Sequence, residues 1–227
     1  MKILFLSKKT DWCEKAKQYV LQNFDEVKVY QGDGENKLPI EAVNWEGDMI
    51  ISFLSPWVIP EKTLKNAKRA INFHPGTPAY GGIGCYNFAI YNEEKKYGVL
   101  CHKMEKKVDS GEIIKIRYFE MSKDETVVSL KEKSMENILK LFYEIVDLVS
   151  KGKDLPIAGE QWKKRPYTKK EFQELCKITL DMPGKEILKR IRATYYPSGP
   201  DYPYIKFDGK KITLKEIEIN GMEDTTI

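Results

Sequence analysis

Short apolar runs alternate with segments of helical periodicity along the first half of the chain. Strands are predicted over Lys2–Ser7, Glu26–Tyr30, Asp48–Leu54 and Arg69–Phe73, and helices over Asp11–Phe24 and Pro60–Ala67. The run Asp48–Leu54 is almost continuously apolar, which is typical of a central strand that is covered on both faces. The repeated order of strand, helix and strand indicates an α/β fold built on an open, mostly parallel sheet with flanking helices.

The second half predicts different elements. A helix follows Gly84 and runs to Asn92, two antiparallel strands span Gly98–Met104 and Glu112–Glu120, and a long amphipathic helix spans Glu125–Val149. The chain then continues with helical segments (Lys169–Ile178, Gly184–Tyr195), a turn (Pro197–Pro203) and a hairpin (Tyr204–Phe207 with Lys211–Ile219, turning at Asp208-Gly209). We expect the last six residues to be frayed. These elements divide the chain into a main domain (1–150), a basic linker (151–170) and a small C-terminal helix and hairpin region (171–227).

Composition narrows the classes of protein that the chain can be. Its 227 residues carry a net charge of +4 with 32% charged residues, a balance that does not indicate a nucleic-acid partner. No apolar run reaches the length of a membrane span, and the N-terminus does not resemble a signal peptide, so we expect a cytoplasmic protein without a membrane partner. The cysteines (Cys13, Cys85, Cys101 and Cys176) are scattered, which favours reduced thiols and no metal site.

One window of the sequence stands apart. From Ala70 to Asn92 the chain has no charged residue, and the middle of this window is dense in glycine and proline. Asn72 and His74 open the window, and they share one face because side chains alternate along a strand. Open α/β sheets bind ligands at the carboxyl edge of their strands, where these two residues are predicted to lie.

A carboxylate supplies a third candidate group. Asp109 lies in the turn Val108–Gly111 between the two long strands, from where it can return to the sheet edge near His74. An imidazole can handle a proton, an amide N–H can hold an oxyanion, and a carboxylate can orient the imidazole, so the three suit attack on a carbonyl. A capped strand end and a plain turn remain the alternative interpretation, and His102 is interpreted as a packing residue.

A family resemblance joins these motifs. The pattern Asn72-Phe-His-Pro75, the loop Tyr80–Gly82, the strand Gly98–Met104 and the turn Val108–Gly111 together resemble the folate-dependent formyltransferases. The resemblance covers residues 1 to about 150, and parts of the C-terminal region also resemble the same family. It implies a Rossmann-like fold, with Asn72, His74 and Asp109 as the catalytic residues and 10-formyltetrahydrofolate as the formyl donor.

The resemblance also implies where the folate binds. The pterin would lie between the loop after the central strand and the turn that carries Asp109. The implied cofactor-binding residues are Phe53, Leu54, Trp57, Val58, Ile59, Glu105, Lys107, Val108 and Asp109. Apolar side chains at a sheet edge suit a flat heterocycle, although ordinary core packing stays open for Phe53 and Ile59.

The formyl acceptor is predicted less directly. The segment Gly76–Tyr80 and the short tail differ from the tRNA enzymes of the family, and the sequence is most similar to the sugar N-formyltransferases of bacterial surface-polysaccharide biosynthesis. The implied substrate, a nucleotide-linked amino sugar, would contact Pro75, Gly76, Thr77, Tyr80, Gly82, Tyr86 and Asn87. Methionyl-tRNA and glycinamide ribonucleotide remain alternative acceptors. RNA binding through the basic segment Trp162–Lys170 is the non-enzymatic alternative. A homodimer formed through the terminal hairpin also stays open.

Overall fold

The computed structural model describes residues 1–197 and 203–215. Its main sheet contains β1 (Lys2–Lys8), β2 (Glu26–Gly32), β3 (Gly47–Phe53), β4 (Ala67–His74), β5 (Lys96–Lys103) and β6 (Ile113–Glu120). The strand order is β2-β1-β3-β4-β5-β6. The first four strands are parallel, whereas β5 is antiparallel to both β4 and β6. The predicted open, mostly parallel sheet with an antiparallel pair at one side is therefore confirmed.

The helices connect and cover these strands. They are α1 (Asp11–Asn23), α2 (Ile40–Val43), α3 (Glu61–Lys65), α4 (Cys85–Tyr91), α5 (Val127–Ser150), α6 (Lys169–Cys176) and α7 (Gly184–Thr194). Thr10 caps α1 by accepting a hydrogen bond from the backbone N–H of Cys13 at 3.3 Å, as its position before the apolar period suggests. The single turn α2 lies in a segment for which the sequence predicts no helix. In the part of the chain described, none of the helices combines the length and the apolar character that crossing a bilayer requires.

The main hydrophobic core lies between the sheet and the helices α1 and α5. Phe53, Phe73 and Phe142 meet at its centre, with ring centroids 4.8 to 5.8 Å apart. Tilted and edge-on ring pairs at these distances are favourable beyond the area that they bury. This core holds the ends of β3 and β4 in fixed positions, and those ends carry the residues of the candidate site.

The C-terminal region packs on the main sheet domain through a second core. Its small sheet has the order β7 (Lys177–Ile178), β8 (Tyr204–Phe207) and β9 (Lys210–Thr213). Helix α7 lies against α4, where the Asn87 side-chain amide donates to the Ala193 carbonyl at 2.7 Å. Phe88 from the main domain and Phe172 from α6 share the same apolar cluster. The two predicted regions are thus joined by a common core.

Several predicted boundaries need correction in this region. The helix predicted to reach Ile178 ends at Cys176, because the next two residues pair with β8. The hairpin turn is as predicted, with positive φ angles of 45° at Asp208 and 71° at Gly209, the combination that favours Asp-Gly. Positions 198–202 of the predicted turn, positions 216–219 of the predicted strand and the last six residues lie outside the described residues.

The predicted basic linker is only partly a surface segment. Most of its residues are exposed, but Trp162 and Tyr167 are half-buried against the glycine-rich loop that follows β4. Tyr167 stacks on Phe88 with ring centroids 3.7 Å apart and planes within 8°. The linker therefore runs over the main domain and contacts it.

The four cysteine side chains are all buried, at different places in the structure. Cys13 on α1 and Cys101 on β5 belong to the main core. Cys85 begins α4, and Cys176 ends α6 in the second core. The thiols are thus distributed over both cores.

Candidate active site

A cavity of about 400 Å³ opens at the carboxyl ends of β3 and β4, beside the turn between β5 and β6. This is the edge at which open α/β sheets bind ligands. The strand ends contribute Asn72 and His74, and the turn contributes Asp109. All three predicted catalytic residues therefore lie in the wall of one cavity.

His74 is buried at the end of β4, with both ring nitrogens close to partners. Its Nε2 lies 2.9 Å from the Tyr80 carbonyl oxygen. A carbonyl can only accept, so Nε2 carries a hydrogen and Nδ1 is the unprotonated nitrogen of the neutral ring. Nδ1 faces the Asp109 Oδ2 atom at 3.5 Å. Two acceptors thus face each other across this gap, and a proton placed there would be held by both.

Gly76 makes the hydrogen bond between His74 and Tyr80 possible. A Cβ atom at this position would lie 2.7 Å from His74 Nε2 and 2.7 Å from the Tyr80 oxygen. Real Cβ atoms essentially never lie this close to a neighbour, so any other residue here would have to displace His74 or Tyr80. The Pro75 carbonyl between them is also fixed, because it accepts the Tyr97 hydroxyl at 3.0 Å. The backbone around His74 is therefore held on both sides.

Asp109 adopts a left-handed backbone conformation with φ of 47°, which aspartate tolerates better than most residues. Its Oδ2 accepts the backbone N–H of Gly82 at 2.8 Å, and its Oδ1 lies 3.5 Å from His102 Nε2. Burial would raise the pKa of this carboxyl, but the two imidazoles and the Gly82 N–H oppose burial and hold the pKa well below its usual value. Asp109 is therefore ionised in the folded protein.

The pKa of His74 is lowered from its ordinary value. Burial is the main cause because it disfavours the charged ring, while Asp109 and the Tyr80 carbonyl act in the opposite direction. The imidazole is thus neutral near pH 7, with Nδ1 ready to accept a proton. Once protonated, the ring would lie beside an ionised carboxylate, which would stabilise the charge.

His102 belongs to the same group, and the interpretation of it as a packing residue is wrong. It pairs with Asn72 across β4 and β5, and the Asn72 amide nitrogen lies 3.2 Å from His102 Nε2. His102 Nδ1 lies 2.7 Å from the Lys103 carbonyl, so Nδ1 carries the hydrogen and Nε2 accepts from Asn72. The pairing of β4 with β5 places these side chains together, and the sequence alone does not specify that register.

Most of the predicted cofactor-binding residues line the cavity. They are Leu54, Trp57, Val58, Ile59, Glu105, Lys107, Val108 and Asp109. Phe53 does not, and its prediction as a cofactor contact is corrected, because its side chain is fully buried in the main core. The reason is strand alternation, which directs Ser52 to the cavity and Phe53 to the opposite side.

Two cavity residues have unusual local surroundings. Leu54 adopts a φ of 53°, a left-handed conformation that is rare for a bulky side chain and is often found at ligand sites. The Trp57 indole packs on Gly32 and donates its N–H to the Asn36 carbonyl at 2.8 Å. The indole is thereby held in place in the cavity wall before any ligand binds.

The predicted substrate-binding residues fall into two groups. Pro75 and Gly82 line the cavity. The others lie behind its wall: Gly76, Thr77, Tyr80, Tyr86 and Asn87.

The prediction of substrate contacts is corrected for Tyr80 and Asn87, because their polar groups bond within the protein. The Tyr80 hydroxyl donates to Glu94 at 2.6 Å, and the Asn87 amide donates to Ala193. Tyr86 packs against the Tyr97 ring, whose centroid lies 6.1 Å away, and Thr77 is buried. These side chains support the glycine-rich loop from within.

The assembled groups are those that transfer of an acyl group to an amine requires. One buried imidazole can accept a proton beside an ionised carboxylate, and a neighbouring amide lies on the cavity surface with a second N–H beyond the one that bonds His102. Within residues 1–197 and 203–215, no group of three or more histidine, cysteine or acidic side chains is arranged to hold a metal ion.

Comparisons with known proteins point in the same direction. A methionyl-tRNA formyltransferase of Fusobacterium nucleatum is 29% identical over 180 residues, which are 78% of this chain and 57% of that enzyme. A GDP-perosamine N-formyltransferase of Brucella melitensis is also 29% identical over 180 residues and is covered over 68% of its length. The chain thus spans about half to two thirds of the length of the curated relatives that it matches.

Solved structures share the fold over almost the whole chain, as two of them illustrate. A sugar N-formyltransferase from a Shewanella species has a TM-score of 0.75 with 21% identity, covering 95% of this chain and 97% of its own. An N-formyltransferase from Helicobacter canadensis, in complex with folinic acid and dTDP-3-aminofucose, has a TM-score of 0.70 with 18% identity, covering 93% and 86%. The family model described as formyl transferase matches residues 2–146, more than half of the chain. With its strand-end asparagine and histidine facing a turn aspartate across one cavity, this chain belongs to the formyl transferase family.

Proposed function

We propose that the protein transfers a formyl group from 10-formyltetrahydrofolate to the amine of a nucleotide-linked amino sugar. The observation that carries the proposal is the convergence of Asn72, His74 and Asp109 in the wall of one cavity. His74 and Asp109 are buried. The hydrogen bonds that His74 and Asn72 make within the protein leave Nδ1 of His74 and one amide N–H of Asn72 for substrates.

The cavity has the character that a folate requires. Its wall combines apolar side chains, among them Leu54, Trp57, Ile59 and Met104, with polar groups of Ser52 and Asn72. A flat heterocycle can pack on such a wall while its edge bonds to neighbouring polar groups. Bound there, the folate would supply the formyl group. The complex of the Helicobacter canadensis enzyme with folinic acid supports a folate in this family.

His74 is the proposed acceptor of the proton that the attacking amine must lose. The geometry leaves Nδ1 as the basic atom, because Nε2 donates to the Tyr80 carbonyl. Transfer of a proton to Nδ1 converts two opposed acceptors into an imidazolium–carboxylate pair with Asp109. Asp109 thereby stabilises the protonated ring and holds its orientation, as the carboxylate does in hydrolase triads.

Asn72 is the proposed donor to the formyl oxygen as negative charge develops there. One N–H of its amide bonds His102 Nε2, which fixes the amide plane, and the second N–H is left for the substrate. The donor is therefore oriented before the reaction, and this is the condition under which such hydrogen bonds accelerate a step most. His102 acts here by positioning the amide.

Two observations favour an amino sugar as the acceptor. The Shewanella sugar N-formyltransferase aligns with 95% of this chain, a span that extends well beyond the family match at residues 2–146. The Brucella melitensis relative acts on GDP-perosamine, which is also a nucleotide-linked amino sugar. The similarity to methionyl-tRNA formyltransferases keeps charged tRNA as the second candidate acceptor.

The basic linker gives limited support to that second candidate. Arg165 is engaged in a bidentate ion pair with Glu171, with both N–O distances at 2.9 Å. The Lys164 ammonium lies 4.2 Å from the Tyr167 ring centroid and 5.3 Å from that of Tyr80. These contacts occupy part of the charge that would otherwise attract phosphates. We therefore infer that the linker serves the fold more than it serves RNA binding.

A panel assay tests the proposed function. The purified protein is incubated with 10-formyltetrahydrofolate and one acceptor at a time: GDP-perosamine, dTDP-3-aminofucose, glycinamide ribonucleotide or methionyl-tRNA. We expect formylation of at least one amino sugar, and loss of at least about 100-fold in turnover for Asn72→Ala, His74→Ala and Asp109→Ala. Asp181→Asn, at an exposed surface position, is the matched control and should retain activity.

Two outcomes would contradict the proposal. Formylation of methionyl-tRNA at rates comparable to the sugars would favour the second candidate acceptor. A folded His74→Ala variant with more than about a tenth of the normal turnover would exclude His74 as the base, because general-base catalysis contributes about 100-fold or more.

A further inference from the structure

The end of the linker forms a strap, which we define as residues 161–168, along the glycine-rich loop. Three backbone hydrogen bonds attach it: Lys163 N–H to the Pro78 carbonyl at 3.0 Å, Tyr167 N–H to the Gly81 carbonyl at 2.9 Å, and Ile83 N–H to the Tyr167 carbonyl at 3.1 Å. The last two bonds flank Gly82, whose own N–H donates to Asp109. The strap therefore holds one of the groups that fix the carboxylate.

Trp162 of the strap contacts the same turn from its other end. Its indole N–H donates to the Gly111 carbonyl at 2.8 Å, two residues beyond Asp109. The indole also meets the His74 ring with centroids 5.8 Å apart and the His102 ring with centroids 5.2 Å apart, both in edge-on geometry. Trp162 is not among the residues that line the active-site cavity. It thus touches both imidazoles without taking part in the folate wall.

The close approach of the indole is built into the glycine-rich loop. A Cβ atom on Gly81 would lie 3.2 Å from the Trp162 ring and 3.3 Å from Asp109 Cβ. A Cβ atom on Gly82 would lie 2.4 Å from the Tyr167 carbonyl oxygen. The two glycines therefore leave the space in which the strap reaches the catalytic residues. Trp162 belongs to neither of the two apolar clusters that form the cores, so its contacts are made with the loop, the turn and the two imidazoles.

We propose that Trp162 is a positioning residue of the active site, which locks the Asp109 turn through Gly111 and shields the imidazoles of His74 and His102 from water. The proposal rests on the proposed function, because it assigns Trp162 a role in the proton transfer assigned to His74. Trp162 touches no substrate in this scheme, and it acts through the residues that do.

Loss of the indole has a predictable effect on the titration of His74. The titratable groups that act on the charge of His74 are Asp109 from the turn and His102 from β5, and Trp162 adds no charge. Burial is the largest influence on the pKa of His74 and lowers it. Admission of water should therefore raise the pKa toward its ordinary value of about 6.5.

The test compares Trp162→Ala, Trp162→Phe and the control Tyr118→Phe. Tyr118 donates its hydroxyl to Glu160 at 2.7 Å, so the control removes a bond beside the strap and leaves the Trp162 contacts intact. For Trp162→Ala we expect a loss in kcat of roughly 10- to 100-fold and a KM for the folate within about 2-fold of that of the unmodified protein. The acid limb of its pH profile of kcat should shift to higher pH. Trp162→Phe retains a ring over the imidazoles, so its acid limb should stay in place while kcat falls less. Tyr118→Phe should behave as the unmodified protein.

A proton NMR titration gives a second reading that does not depend on turnover. The chain has two histidines, so two imidazole signals are expected, and His74→Asn assigns them. A higher pKa of His74 in Trp162→Ala supports the proposal. An unchanged pKa together with unchanged kcat in a folded Trp162→Ala variant overturns it. If Trp162→Ala does not fold, an unchanged kcat in Trp162→Phe overturns the role of the Gly111 hydrogen bond. Absence of any formyl transfer by the unmodified protein would instead refute the proposed function, and the NMR titration would still decide whether Trp162 shields His74.

Discussion

Replacement of Gly76 by alanine should separate His74 from Tyr80. The added Cβ would lie 2.7 Å from each of the two bonded atoms. Ordinary contact begins at 3.4 Å, so each atom must recede by 3.4 − 2.7 = 0.7 Å. Gly76 does not adopt a positive φ, so the effect is steric and not conformational. The methyl group of alanine is therefore expected to lengthen the hydrogen bond between His74 and the Tyr80 carbonyl.

The structure sets the magnitude of the effect. Misplacement of a reacting group by about 1 Å costs roughly 100-fold, so a shift of this size should lower kcat by roughly 10- to 100-fold. A buried donor left without its acceptor costs about 1–3 kcal/mol of folding free energy. For a chain of this size that corresponds to a decrease in Tm of about 2–12 °C. Catalysis should thus suffer more than stability.

Turnover assays and thermal unfolding measure the two effects separately. Gly184→Ala is the matched control, because a Cβ there meets nothing within 4 Å at the start of α7. We expect the control to retain full activity and to gain up to about 1 kcal/mol in stability. Gly76→Ala with normal kcat and normal Tm would show that His74 does not depend on the Tyr80 carbonyl for its position.

Two further predictions concern the base and the folate. Burial lowers the pKa of His74, so the neutral ring persists below pH 6.5, and kcat should fall only at more acidic pH as Nδ1 is protonated. A pH profile of kcat checks this. Retention of the same titration in His74→Asn would exclude His74 as its source. Trp57→Ala should weaken folate binding by about 0.5–1.5 kcal/mol if the ring packs on the pterin, measured as Kd by calorimetry, and an unchanged Kd would assign the indole to the cavity wall alone.

The main sheet could be predicted from the sequence because its signals are local. Buried strands of the main sheet such as Asp48–Leu54 show as apolar runs, and the helix at Asp11 has a cap beside it. The small strand β7 could not be predicted, because Lys177 and Ile178 become a strand only by pairing with β8. A segment of two residues carries no period of its own, so the helical pattern before it extends too far.

The site could be predicted in its residues but only partly in its contacts. Asn72, His74 and Asp109 stand in motifs of recognisable composition, and period-two alternation places the first two on one face. Phe53 lies near the end of the predicted strand Asp48–Leu54 and Tyr80 opens the glycine-rich loop, yet both side chains point into the cores, because a local pattern does not say which neighbours fill the space beside it. His102 and Trp162 depend on strand register and on a long-range crossing of the chain, and neither leaves a local pattern.

Because the cysteines are buried in different parts of the fold, the rate at which each thiol is modified would report local unfolding around it. Burial raises the pKa of Cys85 to about 11 and raises that of Cys101 well above its ordinary value, so reactive thiolates are scarce while the fold is closed. Labelling of each thiol would then proceed through opening of the region around it. Cys101 samples the centre of the main sheet, Cys176 samples the C-terminal core, and Cys85 samples the cavity wall, where a bound ligand would retard alkylation. The order in which the native thiols are alkylated would thus give a map of the local stability of the two cores without an engineered labelling site.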